Sequence, residues 1–187
     1  IDPSFFIVPQ VKKIFDLVFV GNMGYLPNIE AAEFIVAHIM PLLPLETTLL
    51  LAGARPDVRV QKLKSPKVHV SGWFEDIREA YASAKIFVAP LWSGTGQQNK
   101  ILEAMALGLP CITTTLVNNA IHATNGVNIL LADDVNTFSD KINDLLVSND
   151  AILNIGRQAQ IFVKQNYNWE DSVSNLTTIF ANKVTKS

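Results

Sequence analysis

Lys100 and Glu103 stand three residues apart, just behind the small-residue run Ser93, Gly94, Thr95 and Gly96. Residues at that spacing share one face of a helix. A cation there suits a diphosphate, and a carboxylate one turn deeper can accept hydrogen bonds from two vicinal hydroxyls. Small residues let backbone N–H groups approach a ligand closely, and a helix beginning near Gln97 points its positive end at the same place. Thr95, Gly96 and Gln97 are therefore the candidate phosphate cradle, with Lys100 and Glu103 as the candidate side chains. The competing reading of Lys-x-x-Glu is a solvated ion pair on an ordinary helix. Context argues against it. The pair follows the apolar run Ile86, Phe87, Val88, Ala89, ended by Pro90, and the residues beyond it, Ala104, Met105, Ala106 and Leu107, are too apolar for a helix solvated all round.

Positioning such a site requires strands that end where these loops begin. Apolar runs without polar alternation predict buried parallel strands over 17–20, 48–52, 68–71, 86–89, 111–114 and 128–131. Helical patterns fill most gaps, over 28–43, 58–63, 74–84, 97–107, 135–147, 151–166 and 169–184, with Pro41 and Pro44 stopping the first. Strands alternating with helices predict an α/β fold, a doubly wound parallel six-stranded sheet with helices on both faces. In such a sheet ligands sit beyond the carboxyl ends of the strands. The residues there are Gly21, Asn22, Met23 and Gly24 after the first strand, Gly53 and Arg55 after the second, Gly72 and Trp73 after the third, and Thr95 and Gly96 after the fourth. Gly21 and Gly24 do not make the spaced triple glycine of a dinucleotide fold, which disfavours a dehydrogenase.

Composition excludes several classes. At 187 residues, with 49% hydrophobic and 17% charged, the chain is one globular domain with a core of its own. A net charge of −2 leaves no electrostatic footprint for nucleic acid, and Lys12 with Lys13 does not make one. Cys111 is the single cysteine, so no intrachain disulfide or cysteine metal set forms, which fits a reducing cytoplasm, and its apolar context makes it a small core residue. No apolar run approaches the roughly 18 residues of a membrane span. Asp133 and Asp134, adjacent between a strand and a helix, read as caps, and His38, His69 and His122 share no ligand spacing, so no metal is expected.

The stretch KILEAMALGLP followed by CITT resembles the donor-nucleotide motif of retaining glycosyltransferases of the GT-B architecture, of the large family 4 type. DLVFVGNMGYLPN from Asp16 is similar to the first strand and loop of that family's C-terminal domain, VHVSGW from Val68 to its third strand and nucleotide-facing turn, and YNWE from Tyr167 to the start of its closing helix. The resemblance covers essentially the whole chain. It implies a C-terminal, nucleotide-sugar-binding domain over 1–187, Rossmann-like, that binds a nucleotide-diphosphate sugar for retaining transfer of a hexose to a glycan, lipid or small-molecule acceptor. By that resemblance Glu103 holds the ribose hydroxyls, Lys100 the diphosphate, and Trp73 lies beside the nucleobase; on residue type alone Trp73 is equally a core or rim residue. Arg55 reads as a phosphate contact or, more simply, a surface residue, and Asn118 and Asn119 as sugar contacts or, more simply, turn formers. No metal or cofactor beyond the donor substrate is implied, and no catalytic residue is assigned.

Ile1-Asp2-Pro3 is similar to the segment that follows a strand leaving the family's first domain, which implies a second half whose partner is its own N-terminal acceptor domain. Transfer is then expected only from the full-length protein, cytoplasmic, with any membrane contact made through the other half. The chain departs from the family pattern at Thr95, where many members carry a glutamate, at Asn22 and Pro27, where they carry cations, and at Gln98, an arginine in one subgroup. A charge-assisted contact contributes about 1.5–3 kcal/mol, so two fewer would weaken donor binding by a few orders of magnitude. Two alternatives stay open on these residues: a non-catalytic nucleotide-binding or scaffold domain with a degenerate donor site, and a sugar-nucleotide epimerase of the same architecture, for which no convincing acid/base set is visible.

Overall fold

The computed structural model describes residues 1–93 and 98–167. Six strands form one parallel sheet: β1 (Phe15–Val20), β2 (Leu49–Ala52), β3 (Val68–Val70), β4 (Ala84–Ala89), β5 (Cys111–Thr113) and β6 (Leu130–Leu131), in the order β3-β2-β1-β4-β5-β6. All six expected strands are present, each within a few residues of the expected bounds, and the fold is the α/β, Rossmann-like one expected. Register runs Leu17 beside Leu49, Leu49 beside Val68, Leu17 beside Ile86 and Phe87 beside Cys111. β1, β2 and β4 are almost wholly buried, as strands covered on both faces must be. β6 is shorter than the apolar pattern implies because side-chain amides take over its ends: Asn125 Oδ1 accepts from Leu131 N at 3.0 Å and Asn128 Oδ1 from Thr124 N at 2.7 Å.

The helices are α1 (Leu26–Phe34), α2 (Val58–Gln61), α3 (Ile77–Ala82), α4 (Asn99–Ala106), α5 (Thr115–Ile121), α6 (Val135–Leu146) and α7 (Asn149–Asn166). α1 runs on through a π turn, Ile35–Ile39, into a 3-10 turn, Met40–Leu42, that contains Pro41. Proline has no N–H to give and its ring crowds the carbonyl four residues back, so the regular ladder stops there. α3 begins three residues later than expected because Asp76 caps it, accepting from Arg78 N at 3.0 Å.

One helix was not expected. Residues 115–121, read as a loop with Asn118 and Asn119 in turns, form α5, capped by Thr114 and burying Val117 and Ile121. Its seven residues are too short to show a helical period, and Asn118 acts at its far end, where its side chain donates to Ala123 O (2.9 Å) and accepts from Ala123 N (3.0 Å). Asp134 caps α6, accepting from Thr137 N at 2.9 Å, and Asp133 accepts from Thr115 N at 2.8 Å, so the acidic pair does serve helix starts. Cys111 is wholly buried, and burial pushes its thiol well above the usual range, which makes it a core residue. The expected closing helix over 169–184 and the loop residues Thr95, Gly96 and Gln97 lie outside the described residues.

Candidate functional site

Strand order reverses between β1 and β4, so the crevice above their carboxyl ends is the topological switch point at which open α/β sheets bind ligands. The loop after β1 is pinned to the loop after β2. Gly21 N donates to Ala52 O (3.0 Å), Met23 N to Ala54 O (3.0 Å) and Asp57 N to Met23 O (3.1 Å). The two backbones approach so closely that a Cβ on Gly53, whose φ is +146°, would lie 1.7 Å from Gly21 O. Above this floor lies a cleft of about 420 Å³ lined by Gly21, Asn22, Gly53, Arg55, Trp73 and Phe74, among others.

Gly21, Asn22 and Trp73, three of the candidate donor-binding residues, thus line one cleft. Trp73 is 75% exposed and stands at the rim. Gly72 is exposed next to it, with open space where a Cβ would be, so it is not demanded by any close approach. The Asn22 side chain accepts from Gly24 N at 3.0 Å and so shapes the loop. Arg55 is on the surface and also lines the cleft, at a left-handed φ of 53°.

Lys100 and Glu103 do not pair with each other. The ion pairs among the described residues are Arg59–Glu33, Arg78–Asp76 and Lys85–Asp16. The Lys100 ammonium instead donates to Asn28 Oδ1, lies 5.3 Å from the centroid of the Phe19 ring, and would be 3.2 Å from a Cβ on Gly21. Asn28 is buried in α1 and donates in turn to Asn22 O at 2.9 Å, so a neutral amide ties the β1 loop to the lysine. Burial lowers the Lys100 pKa to about 8, with the Glu103 carboxylate opposing that shift. Glu103 accepts from the Tyr81 hydroxyl at 2.8 Å; burial raises its pKa, while the Tyr81 hydrogen bond and Lys100 lower it. Each charge is thus held by a neutral partner, and neither residue is among those lining the 420 Å³ cleft.

Helix starts carry the same signal. Asp57, Asp76, Thr114, Asp134 and Ser148 cap α2, α3, α5, α6 and α7 with side-chain hydrogen bonds. The N-cap residues of α1 and α4, Tyr25 and Gln98, make no such bond. These are the two helices that leave the strands flanking the switch point; in α1 Pro27 has no N–H and Asn28 N and Ile29 N donate to Tyr25 O (2.9 and 3.1 Å), so of the two it is the α4 start that can offer N–H groups and a positive dipole to an anion. Asn28 and Tyr81 escaped the sequence reading, because their contacts with Lys100 and Glu103 span 72 and 22 residues of chain and no local pattern announces them.

Residues 14–148 match the family described as Glycosyl transferases group 1, and the chain belongs to that family. Over 93 residues it is 33% identical to the UDP-Gal:alpha-D-GlcNAc-diphosphoundecaprenol alpha-1,3-galactosyltransferase of Escherichia coli, a match covering 45% of this chain and 21% of that protein. The fold superposes on Anabaena HepE in complex with UDP and glucose with a TM-score of 0.72 at 15% identity, covering 94% of this chain and 49% of that one. It superposes on the C-terminal domain of a glycosyl transferase group 1 family protein from Francisella tularensis with a TM-score of 0.71 at 17% identity, covering 90% of this chain and 99% of that one. The chain spans less than half the length of the curated relatives it matches. Among the described residues, no helix is long and apolar enough to cross a membrane.

Proposed function

We propose that the chain is the donor-binding domain of a retaining glycosyltransferase, which holds a nucleoside diphosphate sugar at the switch point while a second domain presents the acceptor. The observation that carries this reading is the placement of Lys100 and Glu103, on neutral partners, beside the uncapped start of α4. Lys100 and the α4 start meet the diphosphate, Glu103 meets the ribose hydroxyls, Trp73 covers the base, and Arg55 supplies charge from the cleft. Thr95, Gly96 and Gln97 belong to the proposal as phosphate-cradle residues on their sequence alone. As the glycosidic bond breaks, charge develops on the leaving diphosphate, and fixed N–H dipoles and Lys100 stabilise it there without reorganising. No general base is assigned to this half. A uridine nucleotide is favoured by the similarity to proteins whose names specify UDP-Gal or bound UDP. A cytoplasmic location is part of this reading.

The protein containing this domain is expected to release nucleoside diphosphate from a UDP-hexose in the presence of a glycan or lipid-linked acceptor, with the product's anomeric configuration retained by NMR. Absence of release across UDP-, GDP- and ADP-sugars would favour the scaffold reading that Thr95 and Gln98 keep open.

A further inference from the structure

Tyr81 is 0% exposed on α3, on no loop that borders the cleft, yet its hydroxyl ends on the Glu103 carboxylate. Its ring is fixed from two sides: Phe5 of the N-terminal turn Pro3–Phe6 meets it edge-on at 6.4 Å, and Phe87 of β4 lies tilted at 5.6 Å. Only the hydroxyl has polar neighbours, Glu103 Oε2 at 2.8 Å and Lys100 O at 3.2 Å. A tyrosine buried for packing alone needs no partner of this kind, because phenylalanine would fill the same space without a polar atom to satisfy.

We propose that Tyr81 is the positioning residue of the ribose site: its hydroxyl orients the Glu103 carboxylate so that one oxygen is held by the protein and the other is presented to the vicinal hydroxyls of the nucleotide. This rests on the donor-site reading above. A carboxylate that is free to rotate spends its freedom on binding, whereas one anchored at Oε2 is organised before the ligand arrives. Among the described residues, the titratable groups facing Glu103 are Tyr81, from α3, and Lys100, one turn back on α4. Both favour its ionised form, against the larger opposing effect of burial. Removing the hydroxyl therefore raises the pH below which the carboxyl is protonated and cannot accept two ribose O–H donors.

The test compares UDP, GDP and ADP with their 2′-deoxy counterparts by calorimetric titration of the chain and its variants between pH 5 and 8. The wild type is expected to prefer the ribonucleotide about tenfold or more, one well-made hydrogen bond to a charged group being of that order. Tyr81→Phe is expected to reduce the preference to about twofold while affinity for the deoxynucleotide stays within about twofold, and to move the acid limb of ribonucleotide binding to higher pH. A packing role alone would change melting temperature and leave both the ribose preference and the acid limb in place, and that result overturns the proposal. Should Tyr81→Phe not fold, 3-fluorotyrosine at position 81 keeps the ring and strengthens its donation. It is expected to move the acid limb to lower pH, and an unmoved limb overturns the proposal equally. If the wild type shows no ribose preference and Glu103→Ala binds like the wild type, the donor-site reading itself falls. If Glu103→Ala loses the preference and Tyr81→Phe keeps it, Tyr81 alone is displaced.

Discussion

At the residue scale the decisive feature is a lysine that carries its charge at a cost. Lys100 titrates near 8 against an ordinary 10.5 because burial disfavours the ammonium. Since the folded value lies below the unfolded one, this group destabilises the fold fully below about pH 8, by less between 8 and 10.5, and not at all above. The stability of Lys100→Met relative to the wild type is accordingly expected to shift in the variant's favour as the pH falls from 10.5 to 8 in chemical denaturation, with the loss of a donor to the buried Asn28 Oδ1 offsetting part of that gain at every pH. The same variant is expected to lose nucleoside diphosphate binding, the trade between stability and activity that a functional site imposes. In the wild type, diphosphate affinity is expected to be nearly flat from pH 6.5 to 7.5 and to fall about tenfold per pH unit well above 8, as the cation is lost. Lys100 and Glu103 were legible in the sequence because their spacing and the preceding strand are local facts. Tyr81 was not, because nothing local distinguishes its hydroxyl from any other; it gains a role only when α3 packs beside α4.

At the element scale the site depends on two places where backbones touch. Gly156 in α7 lies against the turn after α4, where a Cβ would come 2.1 Å from Gly108 O. Gly156→Ala must push α7 off α4, and is expected to cost roughly 2–3 kcal/mol, lowering the melting temperature by about 5–10 °C. Nucleotide affinity of the folded protein is expected to stay near wild type, because α7 does not line the cleft. Gly53→Ala makes the useful contrast: its Cβ would drive into Gly21 O beneath the site, so it is expected to lower stability and nucleotide affinity together. Differential scanning calorimetry followed by titration separates the two cases. Strand positions were readable because burial on both faces erases polar alternation, as in Leu17, Val18, Phe19 and Val20. α5 was missed because Thr115 to Ile121 is polar and brief, and its stability comes from the Thr114 cap and the burial of Val117 and Ile121 rather than from propensity.

At the scale of the whole molecule, the strand order places β1 and β4 side by side at the switch point of the sheet. The chain's N-terminus contributes to the same arrangement from behind. Ile1 N donates to Tyr167 O (3.1 Å), Arg78 donates to Ser4 O (2.8 Å), and Phe5 meets the Tyr81 ring edge-on. The doubly wound order was foreseeable from alternating elements and the right-handed crossover rule. The convergence of Asn28, Lys100, Tyr81 and Glu103 was not, since it joins α1, α3 and α4 across more than seventy residues. The central claim is that this convergence forms a nucleotide-sugar donor site, and titration with UDP, GDP and ADP, wild type against Glu103→Ala, tests it most directly. The expected result is micromolar to millimolar binding of at least one nucleotide, weakened about tenfold or more by the substitution. No binding of any of the three at millimolar concentration, or binding that Glu103→Ala leaves unchanged, would contradict it.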